Sequence, residues 1–339
     1  MFGFQWHLTD RCNRRCRHCY QNEHEQSASE ASPSDRIKMA DAILGAIPDE
    51  PVTVNLTGGE PLLVPDLPDL MHHLERYANL AEINIITNGT IENERLLKDM
   101  SSLKRLRSFR ISLESGDKAI NDSIRGVGSL DGLRRSVPAY KWITGRHISM
   151  MITLSKMNFL TIPQTVEFSR EIGADSIIFE RFVPLGNGRG MSDSVLSAND
   201  WYNSIRLIGE TARIELDPDD LASCRGFGLL LDPSIDGDDR LEAALFNLGS
   251  ESMALLPDGT VFPCRRLQIP TGNILQAPFA EIRKRLAAWE CSQVRPRLRG
   301  NICGICPYED CPGCRALALA VYCDAFTDDP QCVLNRDDQ

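Results

Sequence analysis

The sequence contains no long hydrophobic run: nothing in its 339 residues approaches the roughly 18 to 20 consecutive apolar residues of a membrane span. Nor does its start, Met1-Phe2-Gly3-Phe4-Gln5-Trp6-His7-Leu8, offer the basic opening and apolar stretch of a secretory signal. Basic charge is short as well, with 37 Lys and Arg against 47 Asp and Glu, a formal net charge of −10 and a pI near 5.2. That balance argues against a dedicated DNA- or RNA-binding surface, which carries a basic patch. Neither nucleic acid nor a membrane is therefore expected as a partner. With 42% apolar residues the chain is globular, long enough for one large α/β domain plus a smaller one.

Cysteine is what the chain has in abundance. Its twelve cysteines fall as Cys12, Cys16 and Cys19, then a scattered Cys224, Cys264 and Cys291, then six between Cys303 and Cys332. A disulfide framework belongs to oxidising compartments and small secreted domains, so the clusters read as metal ligands in a reduced, cytoplasmic protein. The first cluster, Cys12-Asn13-Arg14-Arg15-Cys16-Arg17-His18-Cys19, is spaced C-x3-C-x2-C. A cubane iron–sulfur cluster has four irons, so three thiolates leave one iron open to a ligand that is not protein. Zinc is the alternative, with His18 as a fourth ligand, but His18 sits between two cysteines where tetrahedral closure is cramped.

From about residue 3 to 190, apolar β-branched runs alternate with amphipathic stretches. Strands are expected at Gln5–Leu8, Val52–Leu56, Ile83–Thr87, Phe109–Leu113, Ile148–Leu154 and Ile177–Val183, with helices such as Arg36–Ile47 and Leu67–Tyr77 between them. Six strands with intervening helices imply a parallel sheet, whose chemistry collects at the carboxyl ends of the strands. The cysteine loop follows the first of these. After the second comes Thr57-Gly58-Gly59-Glu60-Pro61, where glycines admit close backbone approach and a carboxylate stands ready for a cation. The third ends in Thr87-Asn88-Gly89-Thr90, and the fourth in Ser112-Leu113-Glu114-Ser115-Gly116 with Arg125-Gly126 downstream. Each turn alone is ordinary; their shared placement is the signal.

C-x3-C-x2-C after strand one, Gly-Gly-Glu-Pro after strand two and Ser-x-Glu with a later Arg-Gly resemble the radical S-adenosylmethionine (SAM) enzymes over roughly residues 4–190. The resemblance implies an α/β fold built on a partial (β/α)6, TIM-like barrel. It also implies a [4Fe-4S] cluster on Cys12, Cys16 and Cys19 whose open iron takes the amino and carboxylate groups of SAM, generating a 5′-deoxyadenosyl radical. Gly58, Gly59 and Glu60 then suit the SAM ammonium, Ser112 and Arg125 its carboxylate, Thr87 and Asn88 the same group or the ribose, and Glu114 the ribose hydroxyls. His18 fills a slot that is aromatic in the family, with Tyr20 next to it; a purely structural role for either stays open. The turn from Arg181 to Gly188 suits backbone contacts to adenine or simply closes the barrel. Arg14, Arg15 and Arg17 can offset the cluster's charge or meet an acidic electron donor of flavodoxin or ferredoxin type.

Residues 191–249 read as a bridge, with a helix over Trp201–Ile214 and an acidic loop over Asp232–Arg240. Beyond it, Met253 to Cys264 carries the Asp-Gly signature of a hairpin. The run Cys303-x2-Cys306-x4-Cys311-x2-Cys314 with a final Cys332 resembles the SPASM extension of radical SAM enzymes, a small cysteine-rich domain expected over residues 250–339 behind a core at 1–190. A single zinc on the paired C-x2-C units is the competing reading, but it leaves Cys264 and Cys332 unexplained. The resemblance assigns Cys303, Cys306, Cys311 and Cys332 to a distal auxiliary [4Fe-4S] cluster and Cys264 and Cys314 to a nearer one. Phe246-Asn247-Leu248-Gly249 lacks the cysteine the family places there, so the nearer cluster recruits Cys224, keeps an open iron, or is absent. Cys323, at the end of a helix over Arg315–Tyr322, reads as core.

SPASM-bearing relatives mostly modify peptides, so a peptide or protein substrate is expected first, with small-molecule or cofactor biosynthesis such as tetrapyrrole chemistry as the alternative. A non-catalytic iron–sulfur or zinc module is the alternative of a different class. Strand one starts almost at residue 1, with no leader-recognition domain ahead of it, so a separate leader-binding partner is expected if the substrate is a ribosomal peptide.

Overall fold

A computed structural model describes residues 1–335 except 26, 216–223, 233 and 235–239; most of the expected acidic loop at 232–240 thus lies outside the described residues. Six strands, β1 (Phe2–His7), β2 (Val52–Thr57), β3 (Leu80–Thr87), β4 (Leu106–Ser112), β5 (His147–Leu154) and β6 (Ser176–Arg181), lie side by side in chain order and all parallel. Helices α1 (Pro33–Leu44), α2 (Leu67–Leu74), α3 (Glu94–Ser101), α4 (Lys118–Arg125), α5 (Ser129–Thr144) and α6 (Ile162–Glu171) connect them. This is the expected partial barrel.

Alternation along the strands explains why the barrel is hollow. On β1, Phe2, Phe4 and Trp6 are buried on one side, while Gly3 and Gln5 face the other. The outward set packs under the helices; α1, for example, buries Met39, Ala40, Ile43 and Leu44 on one stripe. Each such side chain contributes about 1.5 to 3 kcal/mol when fully removed from water. The inward set is largely polar or charged, including Gln5, Asn55, Thr57, Arg110, Ser112, Thr153 and Glu180 beside the apolar Ile86 and Met151, and it lines a cavity instead of filling a core. Helix starts are fixed locally: the Ser32 hydroxyl accepts from the Asp35 amide ahead of α1, and Asp117 accepts from the Ile120 amide ahead of α4.

The sheet does not stop at β6. The expected helix appears as α7 (Ala198–Ala212), opened by a Ser197/Asp200 capping box. After it, β7 (Cys224–Leu230) and β8 (Leu241–Leu245) add antiparallel strands beyond β6, where only a bridge was expected. Two glycines inside β7 and the lack of clean alternation hid it. At the other edge, the hairpin strand β9 (Ser252–Leu255) pairs parallel with β1, followed by β10 (Thr260–Phe262) and β11 (Gly272–Asn273). The eleven strands form one open sheet. Cys323 is exposed, capping helix Arg315–Tyr322 with φ +58°, so the expectation of a core cysteine is corrected: the helix ends just before it and turns its last residues to solvent. Among the described residues no helix is long and apolar enough to cross a membrane.

Candidate active site

The cysteine loop after β1 is pinned by backbone hydrogen bonds on every side. The Cys12 amide donates to the His24 carbonyl at 3.0 Å, and the Arg17 amide to Ile124 at 2.9 Å. From β2, the Gly59 amide donates to Thr9 at 2.7 Å and Glu60 to Arg11 at 2.9 Å; from the turn after β6, Gly188 donates to Cys19 at 2.9 Å and Asn187 to Gln21 at 3.1 Å. The glycines are there because the two chains touch: a Cβ on Gly58, which has φ +143°, would stand 2.5 Å from the Thr9 carbonyl oxygen, and one on Gly59 2.4 Å from that of Arg11. The close approach is thus to the loop's own backbone. Likewise a Cβ on Gly186 would meet the Tyr20 carbonyl carbon at 2.4 Å, so this turn braces the cysteine loop.

All three thiols are half-buried and open onto one cavity of about 410 Å³. Burial pushes up the Cys12 thiol, and Cys19 to about 11. Donors converge on the sulfurs: the Arg14 amide reaches Cys12 Sγ at 3.4 Å, Asn88 Nδ2 reaches it at 3.9 Å, and the Gln21 amide reaches Cys19 Sγ at 3.4 Å. Amide donors aimed at sulfur stabilise the negative charge of a cluster thiolate, so the donor set fits a cubane. Among the described residues, no three His, Cys, Asp or Glu converge as a mononuclear ion site would.

Around the loop, the strand-end residues expected from sequence come together. Thr87, Asn88, Ser112, Glu114 and Arg125 all line the cavity beside Gly58 and Gly59. The buried Glu114 carboxylate accepts from Arg125 Nη1 at 3.0 Å and from the Thr153 amide at 3.0 Å, with His18 Nε2 at 3.2 Å. Burial alone would raise its pKa, but His18 and Arg125 hold it below the usual carboxylate range. The Ser112 hydroxyl donates to the Thr87 carbonyl at 3.3 Å. Glu60 differs from expectation. It is fully buried behind the cavity wall, and its oxygens accept from Thr87 Oγ1 at 2.7 Å and the amides of Asn88 at 2.8 Å and Leu62 at 3.1 Å. Its carboxylate therefore ties β2 to β3 and positions Thr87 and Asn88.

The cavity runs on to the cysteine-rich segment, where Cys264 and Cys314 line it. Arg266 lies close enough to both of these thiols to be stabilised by them. Cys303, Cys306, Cys311 and Cys332 form the other grouping. Burial pushes Cys311 to about 11 and Cys332 to about 12, and neighbouring thiols of the same four add to both shifts. Cys303 Sγ accepts from the Asp329 amide at 3.3 Å and from Arg315 Nη2 at 3.6 Å. Asp329 also accepts from Arg181 Nη1 at 2.7 Å and from the Cys314 amide at 2.8 Å, joining the end of β6 to both groupings. Cys224 is not brought to the cavity: it is buried in the barrel's main core, whereas Cys264 and Cys314 pack on a separate smaller core with Trp289 and Leu317. Phe246, in the stretch that lacks a cysteine, lines the cavity beneath the Arg181 guanidinium, 5.3 Å from it.

Sequence reasoning named Arg14, Arg125 and Arg181 but gave no role to the other arginines of the cavity, Arg110, Arg225, Arg265, Arg266 and Arg315. Eight line it, against two glutamates. Arg110, Ser112 and Glu114 share one face of β4 and its continuation, a period-two signal that reading inward faces would have found.

Comparison with known proteins agrees with this architecture. The radical SAM superfamily matches residues 6–168, and the iron–sulfur cluster-binding SPASM domain residues 247–314. The chain is 26% identical to an AdoMet-dependent heme synthase of Methanosarcina barkeri over 97% of its length and 95% of that protein's. It is also 26% identical to a PqqA peptide cyclase of Streptomyces rochei, covering 98% and 89% of the two chains. In structure it resembles anSMEcpe with bound AdoMet, with a TM-score of 0.74 and 17% identity over 97% of this chain and 94% of that one, and SuiB of Streptococcus suis, with 0.66 and 15% over 98% and 77%. The open-iron cysteine loop and the cysteine-rich extension on a parallel barrel thus have one explanation: the chain is an enzyme of the radical SAM superfamily, with SAM and [4Fe-4S] clusters as cofactors and a SPASM extension at its C-terminal side.

Proposed function

We propose that this enzyme abstracts hydrogen from a carboxylate-bearing small molecule, of the tetrapyrrole type, held between the cysteine loop and the cysteine-rich extension. One observation carries the reading: a single cavity faces Cys12, Cys16 and Cys19 at one end and Cys264 and Cys314 at the other, and its charged wall is dominated by arginine. Near-full-length similarity to heme synthases and to an Fe-coproporphyrin III synthase supports that class. A peptide substrate is the second reading, favoured by the equally long match to the PqqA peptide cyclase; it would call for a separate leader-binding partner.

In this reading Cys12, Cys16 and Cys19 hold the catalytic cluster, Cys303, Cys306, Cys311 and Cys332 the distal auxiliary cluster, and Cys264 and Cys314 part of a nearer one. Cys224, in another core, is a poor candidate to complete it. The work divides among a core at 1–190, a bridge at 191–249 and an extension at 250–339, and a flavodoxin or ferredoxin supplies the electron. When bound, SAM on the open iron supplies the radical that removes a substrate hydrogen. The chain's own part is placement. Arg125 and Ser112 offer donors to the SAM carboxylate, and carbonyls at Gly58 and Gly59 accept from its ammonium. Thr87 and Asn88, held by Glu60, border the same group, Glu114 orients Arg125 and His18, and Tyr20 walls the cavity beside Cys19.

The test is anaerobic reconstitution followed by dithionite and SAM. The wild type is expected to form 5′-deoxyadenosine and to carry about eight to twelve irons, at four per cubane. Absence of that product, or zinc in stoichiometric amount, overturns the assignment.

A further inference from the structure

The arginines of the cavity differ in how they are satisfied. Arg225 and Arg266 flank Glu180 at 3.3 and 3.6 Å, and Arg125, Arg181 and Arg315 are engaged by carboxylates or carbonyls. Arg14, Arg110 and Arg265 are not: among the described residues none of the three side chains has a hydrogen bond or an ion pair within 4 Å, and of these Arg14 belongs to the cysteine loop itself, which leaves Arg110 and Arg265 on the walls beyond it.

Arg265 directly follows Cys264, and its guanidinium carbon lies over the Tyr20 ring, 4.8 Å from the centroid. Tyr20 directly follows Cys19, so Arg265 sits where the two cysteine-bearing loops meet. Its Nε is buried without a partner, and the titratable groups that feel it, Asp10, His7 and the Tyr20 hydroxyl, make no ion pair with it. Arg110 comes from β4, one layer before Ser112 on the same inward face. Burial lowers its pKa, and Glu180, Glu82 and Glu242 act on it only from a distance. Two half-buried cations with no ion pair of their own on the wall of one cavity are ready to take an anion, and a planar guanidinium matches a carboxylate fork to fork. Apolar side chains such as Phe182, Phe246 and Met151 share the wall with them.

We propose that Arg265 and Arg110 are two separate carboxylate anchors, so that the substrate is a small molecule carrying at least two carboxylates on an apolar body, one docked at the seam of the two cysteine loops and one against β4. This rests on the cavity being the substrate site, as proposed above, and it makes the two arginines specificity-determining residues. The group Arg225–Glu180–Arg266 then stands beside the second anchor as a brace.

The test is equilibrium binding to the anaerobically reconstituted holoprotein, without SAM or reductant, so that its outcome is independent of whether the cluster cleaves SAM. Coproporphyrin III, with free carboxylates, and its tetramethyl ester are the probes, followed by fluorescence titration. The wild type should bind the acid at least about tenfold more tightly than the ester, with affinity falling as salt rises. Arg265→Met and Arg110→Met should each weaken acid binding about tenfold and leave ester binding unchanged, while Arg265→Lys and Arg110→Lys recover part of the loss. Iron content and circular dichroism establish that each variant is folded, and the lysine variants carry the test if a methionine variant is not. The proposal is overturned if the wild type does not bind the acid, if it binds the ester equally well, or if the folded variants bind the acid like the wild type.

Discussion

The two cysteine-bearing regions are held in opposite ways. The loop from Cys12 to Cys19 is fixed by backbone to backbone contact, with β2 and the turn after β6 pressed against it at Gly58, Gly59 and Gly186. The segment from Cys303 to Cys332 has little regular structure and is fixed by side chains instead: Asp329 and Arg315 reach its sulfurs and amides, and Arg181 reaches across 148 residues of sequence to Asp329. Backbone clamping leaves the first region intolerant of any added atom. Side-chain clamping makes the second depend on a few buried charges.

Removing a thiol breaks the first region outright. Cys12→Ala should abolish 5′-deoxyadenosine formation and lower the iron content by about four per chain, read by product chromatography and iron assay. The second region should fail differently. Arg181 and Asp329 are both almost fully buried, and taking away one partner of such a pair costs about 3 to 5 kcal/mol. Asp329→Ala should therefore lose auxiliary iron first while the cluster at Cys12 persists, seen as SAM cleavage surviving in a protein of reduced iron content. Equal loss at both ends would erase the contrast.

Gly59→Ala tests the backbone clamp without touching a ligand. The new methyl group would overlap the Arg11 carbonyl, costing about 1 to 3 kcal/mol and displacing Cys12, so thermal stability and SAM cleavage should fall together. The smallest effect is expected at Asp122, which holds the junction of α4 and α5 and so aims Arg125. Burial would raise its pKa, but the amides of Leu130 and Gly128, the Ser129 hydroxyl and Lys118 hold it well below the ordinary 3.8. A depressed carboxylate stabilises above its unfolded pKa, so this contribution is complete at neutral pH and is lost as pH falls below about 3.8. Asp122→Asn should cost about 1 kcal/mol at pH 7 and flatten that acid dependence in denaturant titrations.

Much of the barrel was legible because its signals are local. Strand ends carry Gly58, Gly59, Thr87, Asn88, Ser112 and Glu114, and a parallel sheet brings strand ends together whatever its finer geometry. Glu60 was legible as a position but not in what it holds, since its partners come from β3. Cys224 drew attention because the stretch from Phe246 to Gly249 carries no cysteine, yet strand β7 carries it into the barrel core. Arg110, Arg265 and the Arg181–Asp329 pair were illegible for one physical reason: each depends on elements far apart in sequence, and an arginine in a list looks the same whether solvated or buried.

The parallel pairing of β9 with β1 bears on how such an enzyme could be taken apart. Phe2 is covered by Phe279, and Arg283 lies over its ring while holding Glu50 at 2.7 Å. Cutting the chain before β9 would strip a neighbour from β1 and leave an unpaired rim of amides and carbonyls beside bare aromatic rings, the kind of rim that recruits foreign strands. The extension is therefore not an accessory that can be exchanged by joining sequences end to end: a graft would have to bring a first strand matched to it.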